Sequence, residues 1–157
     1  MAAASLAASG CGYSRQAIFP EDVQTVTVQT FQNKTFYKGV QFELSEALIK
    51  QIELETPYKA VSGSADTLVE GVITDIQQRK LSRTSTGGLV QEVEVRIVVN
   101  FQWKDQRTGK LLRQRKGFVG VGRHVLTRPI GESFPTGQHG AVQRLAQQIV
   151  STMRSDF

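Results

Sequence analysis

The sequence predicts an α+β fold, a two-layer sandwich whose four-stranded, mostly antiparallel sheet carries two helices on one face in the order β-α-β-β-β-α. Three observations carry this expectation. Residues 93–103 alternate Val93, Val95, Ile97, Val99, Phe101 and Trp103 with Glu94, Arg96, Val98, Asn100 and Gln102. Apolar residues at period two describe a strand with one buried and one largely wet face, the pattern of antiparallel sheets covered on one side. Two other segments, 41–55 and 139–154, repeat apolar residues at helical spacing. Stacking two such helices on one face of the sheet buries both sets of apolar side chains.

In chain order, residues 13–22 read as a linker ending near Pro20. Residues 23–31 set Val23, Val26, Val28 and Phe31 among threonines, a strand composition. Gln32-Asn33-Lys34-Thr35 is a polar turn, and Asn33-x-Thr35, nominally a glycosylation sequon, is read as turn chemistry. The helix over 41–55 presents Phe42, Ser45, Leu48, Ile49 and Ile52 on one face, and Pro57 ends it. Residues 68–77 form the second strand, with Gly71 marking a bulge or a close approach. Residues 82–88 are a hairpin tip, 105–109 a hairpin turn with Gly109 at a positive φ, and 110–121 the return strand. The middle of the chain, 68–121, is thus a three-strand meander.

Residues 122–139 are rich in glycine, hold two prolines and lack periodicity, so they read as a long loop of the functional or mobile kind. The last helix, 139–154, carries the stripe Val142, Leu145, Ala146, Ile149, Val150 and Met153. Gly140, a poor helix former, is expected at its start.

With 157 residues the chain has room for one domain. The expected division is 1–10 as a signal-peptide remnant, 11–22 as a lipidated linker and 23–157 as a single α+β domain. Hydrophobic residues at 39% and charged residues at 21% fit a globular rather than a disordered chain. No stretch approaches the roughly 18 apolar residues of a membrane-crossing helix, which excludes a polytopic helical membrane protein.

The start of the chain suggests export. Leu6-Ala7-Ala8-Ser9-Gly10 leads to Cys11, the sole cysteine. Small side chains before a lone cysteine suit a lipoprotein signal peptidase, whose narrow cleft takes an extended backbone, and the thiol then carries a diacylglyceryl thioether. Two or three acyl chains anchor stably where one does not. The ten residues before Cys11 lack Lys and Arg, so the natural start is expected upstream. Gly12 stands where an Asp directs inner-membrane retention, which points to the outer membrane. A free thiol on a cytosolic chain is the alternative.

Charge is unevenly spread. Residues 79–128 hold 12 Lys and Arg against three acidic residues, while the remainder holds 7 basic and 11 acidic. Arg79, Lys80 and Arg83 lie where the second strand enters its hairpin tip, and Arg113, Arg115 and Lys116 lie on the last strand. If that strand pairs beside its neighbour, its cations join Arg96 on the wet face. Guanidinium forks there suit phosphates of an anionic lipid or polysaccharide. A well-solvated or edge-protecting sheet face accounts for the same residues equally well.

Nothing converges for catalysis. His124 and His139 are the only imidazoles and lack the spacing of a metal pair. Nucleophile elbow, P-loop and dinucleotide fingerprints are missing from the sequence, and Gly117, Gly120 and Gly122 lead into no helix directly, so they serve close packing. The expectation is therefore no enzyme, no cofactor and no metal. Phe101 and Trp103 share the apolar face of their strand, which removes the aromatic platform that single-stranded nucleic acid needs.

These pieces resemble a known family. The lipobox Cys11-Gly12-Tyr13, the strand motif Val26-x-Val28-x-x-Phe31-x-Asn33-x-Thr35 and the element Ala65-Asp66-x-x-Val69-x-Gly71-x-Ile73 are similar to the lipopolysaccharide-assembly lipoproteins, LptE. The two helices fall where that family has them, so the resemblance spans nearly the whole chain. It implies a non-enzymatic lipoprotein, anchored by lipid on the periplasmic side of the outer membrane. It also implies a barrel partner, LptD, whose lumen the domain plugs, and contacts to lipopolysaccharide through basic residues at one end of the sheet. Arg79, Lys80, Arg83, Arg96, Arg113, Arg115 and Lys116 are the candidates by charge and position. Secretion-pore lipoproteins and activators of peptidoglycan synthases share the strand-helix-strand pattern and remain the alternative.

Overall fold

The computed structural model describes residues 19–20, 22–83, 90–125 and 133–154. Eight elements follow in order: β1 (Thr25–Val28), β2 (Gln32–Asn33), α1 (Val40–Glu55), β3 (Lys59–Ala60), β4 (Thr67–Arg83), β5 (Val90–Asp105), β6 (Leu111–Val125) and α2 (Ser133–Ser151). The class is α+β as expected, but the sheet has six strands and is mixed. Its order is β3-β1-β4-β5-β6, with β2 also paired to β4. Strands β1 and β2 run parallel to β4, and β1 parallel to β3. Parallel neighbours need a crossover, and α1 supplies it between β2 and β3.

The meander is confirmed. β4 pairs antiparallel with β5, and β5 with β6. Along β5, Val93, Val95, Ile97, Val99, Phe101 and Trp103 are all buried, while Glu94, Arg96, Val98, Asn100 and Gln102 are only partly so. The inner face of the sheet packs in one core cluster with Leu44, Leu48 and Ile52 of α1 and Val142, Leu145 and Ile149 of α2. Both helices therefore cover the same face.

Local chemistry explains the turns. Asn33 accepts through Oδ1 from the Thr35 N–H (2.9 Å) and hydroxyl (2.8 Å), and its Nδ2 donates to the Tyr37 carbonyl. This is an Asx turn, as read from the sequence. Asp105 accepts from the N–H groups of Arg107 and Thr108, and Gly109 closes the hairpin at φ +70. Gly71 marks a close approach: a Cβ there would stand 2.5 Å from Phe31 Cε1 and 2.6 Å from the Asn100 carbonyl.

Four expectations are corrected. The first strand is shortened to β1, and the first two residues of the expected turn, Gln32–Asn33, are the strand β2; between them Phe31 is buried and its N–H is taken by the Ser45 hydroxyl. The buried face of α1 is Val40, Leu44, Ser45, Ala47, Leu48, Gln51 and Ile52, whereas Phe42 is 59% exposed and Ile49 lies at the surface. The long loop expected over 122–139 does not exist as such: β6 runs on to Val125 and α2 begins at Ser133. Gly140 lies inside α2 rather than at its start, with Pro135 near the first turn, where a missing N–H costs little.

Glycines make that longer helix possible. A Cβ on Gly122 would overlap the Gly137 carbonyl oxygen and the Ala141 nitrogen, and one on Gly120 would stand 2.7 Å from the Ala141 carbonyl. Strand β6 and helix α2 thus meet backbone to backbone, the close packing that the glycine spacing suggested.

Candidate functional site: the open face of the sheet

The face opposite the helices is wet and collects the chemistry. Its upper part, toward the β4–β5 hairpin, is built by register. Glu94 on β5 stands between Arg79 on β4 and Arg123 on β6, and Arg96 stands between Gln77 and Val121. Directly opposed residues on one face have Cβ atoms about 5 Å apart, so three guanidinium groups from three strands share one patch. One carboxylate partly balances them: Arg123 Nε donates to Glu94 Oε2 at 3.2 Å. Asp75 and Glu92 lie on the same face, two residues along their strands from Gln77 and Glu94, so the guanidinium groups stand among carboxylates, and their planar forks suit phosphate. Arg123 was not among the residues singled out from the sequence. The signal that finds it is its pairing with Glu94, which needs the register.

The lower part is a cleft of about 360 Å³. Gln29, Thr30 and Gln32 border it on one side, Glu70, Asn100 and Gln102 floor it, and Gln114, Arg115 and Lys116 close it at the β6 edge. Glu70 accepts from Lys104 Nζ (2.7 Å) and Gln102 Nε2 (2.6 Å). The Lys104 bond first and the Gln102 bond second hold this carboxyl below its ordinary range. Asn100 Oδ1 accepts from the N–H of Gly117, which sits at φ +64 in an irregular stretch of β6. The cleft's amides are hydrogen-bonding groups without net charge, a lining suited to hydroxyl-bearing or peptide ligands.

The structure divides the basic candidates. Arg79, Lys80 and Arg96 gather at the hairpin end of the sheet, and Arg83 closes β4 at the same end. The expectation that Arg113 and Arg115 share a face with Arg96 is corrected. The pairing shifts between Val99 and Phe101, and beyond that shift Arg115 stands opposite Phe101 and Arg113 opposite Trp103. A one-residue irregularity moves every later side chain to the other side. Arg113 is committed to α2: its Nε donates to the Thr152 carbonyl (3.1 Å) and its Nη2 to the Arg154 carbonyl (3.2 Å). Both carbonyls belong to the turn that follows α2, so the guanidinium ties that turn to β6 beside the negative end of the helix dipole. Arg115 and Lys116, at the sheet's rim, stay exposed beside the cleft.

Other polar clusters are structural. Asp66, from the Ala-Asp motif, accepts through Oδ2 from the Thr25 hydroxyl (2.8 Å) and the N–H groups of Thr25 (2.9 Å) and Gln24 (3.1 Å). It thereby fixes the start of β1 on β4, and these bonds hold its carboxyl below the usual range, the Thr25 hydroxyl contributing most. His139 Nδ1 lies 2.8 Å from Glu43 Oε1 and joins the helices, while His124 is on β6 opposite Val93. Among the described residues, no group of three or more His, Cys, Asp and Glu is placed to hold a metal ion, and no helix is long and apolar enough to cross a membrane. Cys11 lies outside the described residues; of the hairpin tip expected over 82–88, residues 82–83 belong to β4 and 84–88 lie outside the described residues.

The family model for lipopolysaccharide assembly, LptE, matches residues 23–155. The chain belongs to the LptE family. The match takes in every element described above, from β1 to α2, and the LptE family is one of non-enzymatic lipoproteins of lipopolysaccharide assembly. No curated protein matches the chain. Among solved structures, the PelC dodecamer from Paraburkholderia phytofirmans is 12% identical, covers 85% of this chain and 90% of its own, and superposes with a TM-score of 0.53. A hypothetical protein from Chlamydia trachomatis is 13% identical over 83% of this chain and 95% of its own, at a TM-score of 0.56. Uncharacterized lipoprotein B from Nitrosomonas europaea is 16% identical over 92% of both chains, at 0.50. At such identities the likeness is one of fold alone.

Proposed function

We propose that this protein is an outer-membrane lipoprotein, anchored by lipid on Cys11 and facing the periplasm, that works with an LptD-type β-barrel as its plug and lipopolysaccharide-binding subunit. In this reading residues 1–10 are removed, 11–22 are the lipidated linker and 23–157 are one domain. The observation that carries it is the family match over residues 23–155. The arginine patch agrees with it, since Arg79, Arg96 and Arg123 converge on one face around Glu94. Phosphate groups of lipopolysaccharide are the matching chemistry, and Lys80, opposite Val93, lies at the same end but on the other face. Arg113 leaves the contact set because α2 engages it. Phe36 and, on the outer side of α1, Phe42 and Leu54 are exposed and give a plug apolar surface to set against a barrel wall.

Affinity capture of the lipid-anchored protein from outer membranes tests the reading. A large β-barrel recovered in a one-to-one complex supports it, and intact mass of the membrane fraction is expected to show an acylated N-terminal Cys11. The fold likeness to PelC, a dodecamer, motivates one competing reading, a ring-forming envelope lipoprotein. Native mass measurements showing a closed ring and no barrel would favour that reading. Recovery of a peptidoglycan synthase would favour an activator.

A further inference from the structure

We propose that the outer edge of β6 is a strand-addition site for an extended, acidic segment of a partner protein. β6 is 15 residues long and, among the described strands, pairs with β5 alone. An antiparallel strand turns the main-chain N–H and C=O of alternate residues to each side. Beyond the irregular stretch at Gly117, every second residue of the regular ladder from Phe118 to Val125 therefore offers a donor and acceptor to a further strand, a surface that another extended backbone satisfies in full. The opposite edge of the sheet is blunted in the usual way, since β3 is two residues long. Within β6 the run Phe118-Val119-Gly120-Val121-Gly122 carries no charge to discourage pairing, and Val119 and Val121 are half-buried.

The charges along the edge select the occupant. Arg115 and Lys116 are exposed, and neither has an ion-pair partner among the described residues. A second copy fits poorly. An antiparallel β6–β6 pair centred on Phe118 sets Arg113 against Arg123, and like charges placed opposite each other destabilise a ladder. Pairing with β3 of another copy spans only two residues. An anionic lipid would meet the cations but leave the main-chain groups unpaired. A strand with Glu or Asp at alternate positions meets both. The cleft bordered by Gln114, Arg115 and Lys116 then receives one side chain of the incoming strand, so that main-chain bonds supply affinity and the cleft supplies selectivity.

The test uses the full chain and three synthetic peptides: one alternating Glu with Val, one alternating Lys with Val, and the Glu peptide N-methylated at alternate backbone nitrogens. Affinity is read by fluorescence anisotropy and the site by amide exchange. The Glu peptide is expected to bind and to slow exchange at alternate residues of β6 by about tenfold or more. The Lys peptide is expected to bind at least about tenfold more weakly, and the N-methylated peptide, deprived of donors, to lose binding. Replacing both cations, Arg115→Glu with Lys116→Glu, is expected to reverse the preference between the Glu and Lys peptides. Arg79 and Arg96 lie on the sheet face, so their replacement leaves peptide binding intact and separates this inference from the lipopolysaccharide reading. Failure of the Glu peptide to bind, equal binding of its N-methylated form, or protection confined to residues outside β6 overturns the proposal.

Discussion

Gly122 of β6 and Gly137 of α2 meet without side chains between them, so that a Cβ on Gly122 would overlap the Gly137 carbonyl oxygen. Backbone on both sides leaves nothing flexible to give way. Gly122→Ala is therefore expected to cost about 1–3 kcal/mol, the range of overpacking, and to loosen α2 from the sheet. Gly109→Ala is the comparison, since φ is +70 there but nothing stands within 4 Å. Its cost is the strain of a left-handed residue alone, about 1 kcal/mol. Urea unfolding of the two variants ranks them, and equal midpoints would contradict the backbone contact.

Arg113 was a ligand candidate by charge and is a helix anchor by geometry. Arg113→Ala is expected to lower stability by about 1 kcal/mol, a surface-exposed share of what charge-assisted hydrogen bonds contribute. Faster amide exchange is expected in the last turn of α2, with lipopolysaccharide affinity unchanged. A loss of affinity without a loss of stability would return Arg113 to the binding surface.

These two cases show where the sequence is informative. The alternation from Val93 to Trp103 needs no tertiary knowledge, because side chains point to opposite faces at period two, and β5 follows it residue for residue. The helix at 41–55 was legible but its buried face only in part, since Ser45, Leu48 and Ile52 are buried as expected. Apolar residues stand on both sides of α1, and only packing shows that Leu44 and Ala47 face the core while Phe42 and Ile49 do not. Gly140 was expected at a helix start by propensity, yet it lies inside α2, whose backbone packs on Gly122 and where a Cβ on Gly137 would stand 2.8 Å from Val95 Cγ2, so tertiary packing prevailed. β3 is two residues long and held by parallel pairing, which leaves no local pattern. The arginine patch was half legible. Arg79 and Arg96 were named from charge, but Arg123 needed the register, and the irregularity beyond Val99 removed Arg113 from their face.

Asp66 ties β1 to β4, and the bonds that do so depend on its charge. Its folded pKa lies below that of a free Asp, about 3.9. A lowered carboxylate pKa contributes stability that is fully present above the unfolded value and is lost as pH falls through the folded one. Asp66→Asn is therefore expected to be less stable than the parent at pH 7, with the gap closing as acid titrates the parent. Glu70, held by Lys104 and Gln102, acts in the same direction. Urea midpoints measured between neutral and acid pH check this. A gap between parent and Asp66→Asn that persists unchanged at the acid end would show that the charge plays no part.

The arginine patch yields the functional test. If Arg79, Arg96 and Arg123 bind phosphates, replacing all three with Ser removes three counter-charges from an exposed surface that contributes little to folding. Lipopolysaccharide affinity is expected to fall by about tenfold or more, while the urea midpoint stays close to that of the parent. Binding by the parent is expected to weaken as salt rises, since exposed charges are screened within about 10 Å at 0.1 M ionic strength, and the triple variant is expected to show a shallower dependence. Arg113→Ala serves as the internal control, because it removes one positive charge from the chain without touching the patch. A loss in Arg113→Ala about one third of the triple variant's, on a logarithmic scale, would mean that net charge, rather than the convergence of three strands on Glu94, governs the interaction.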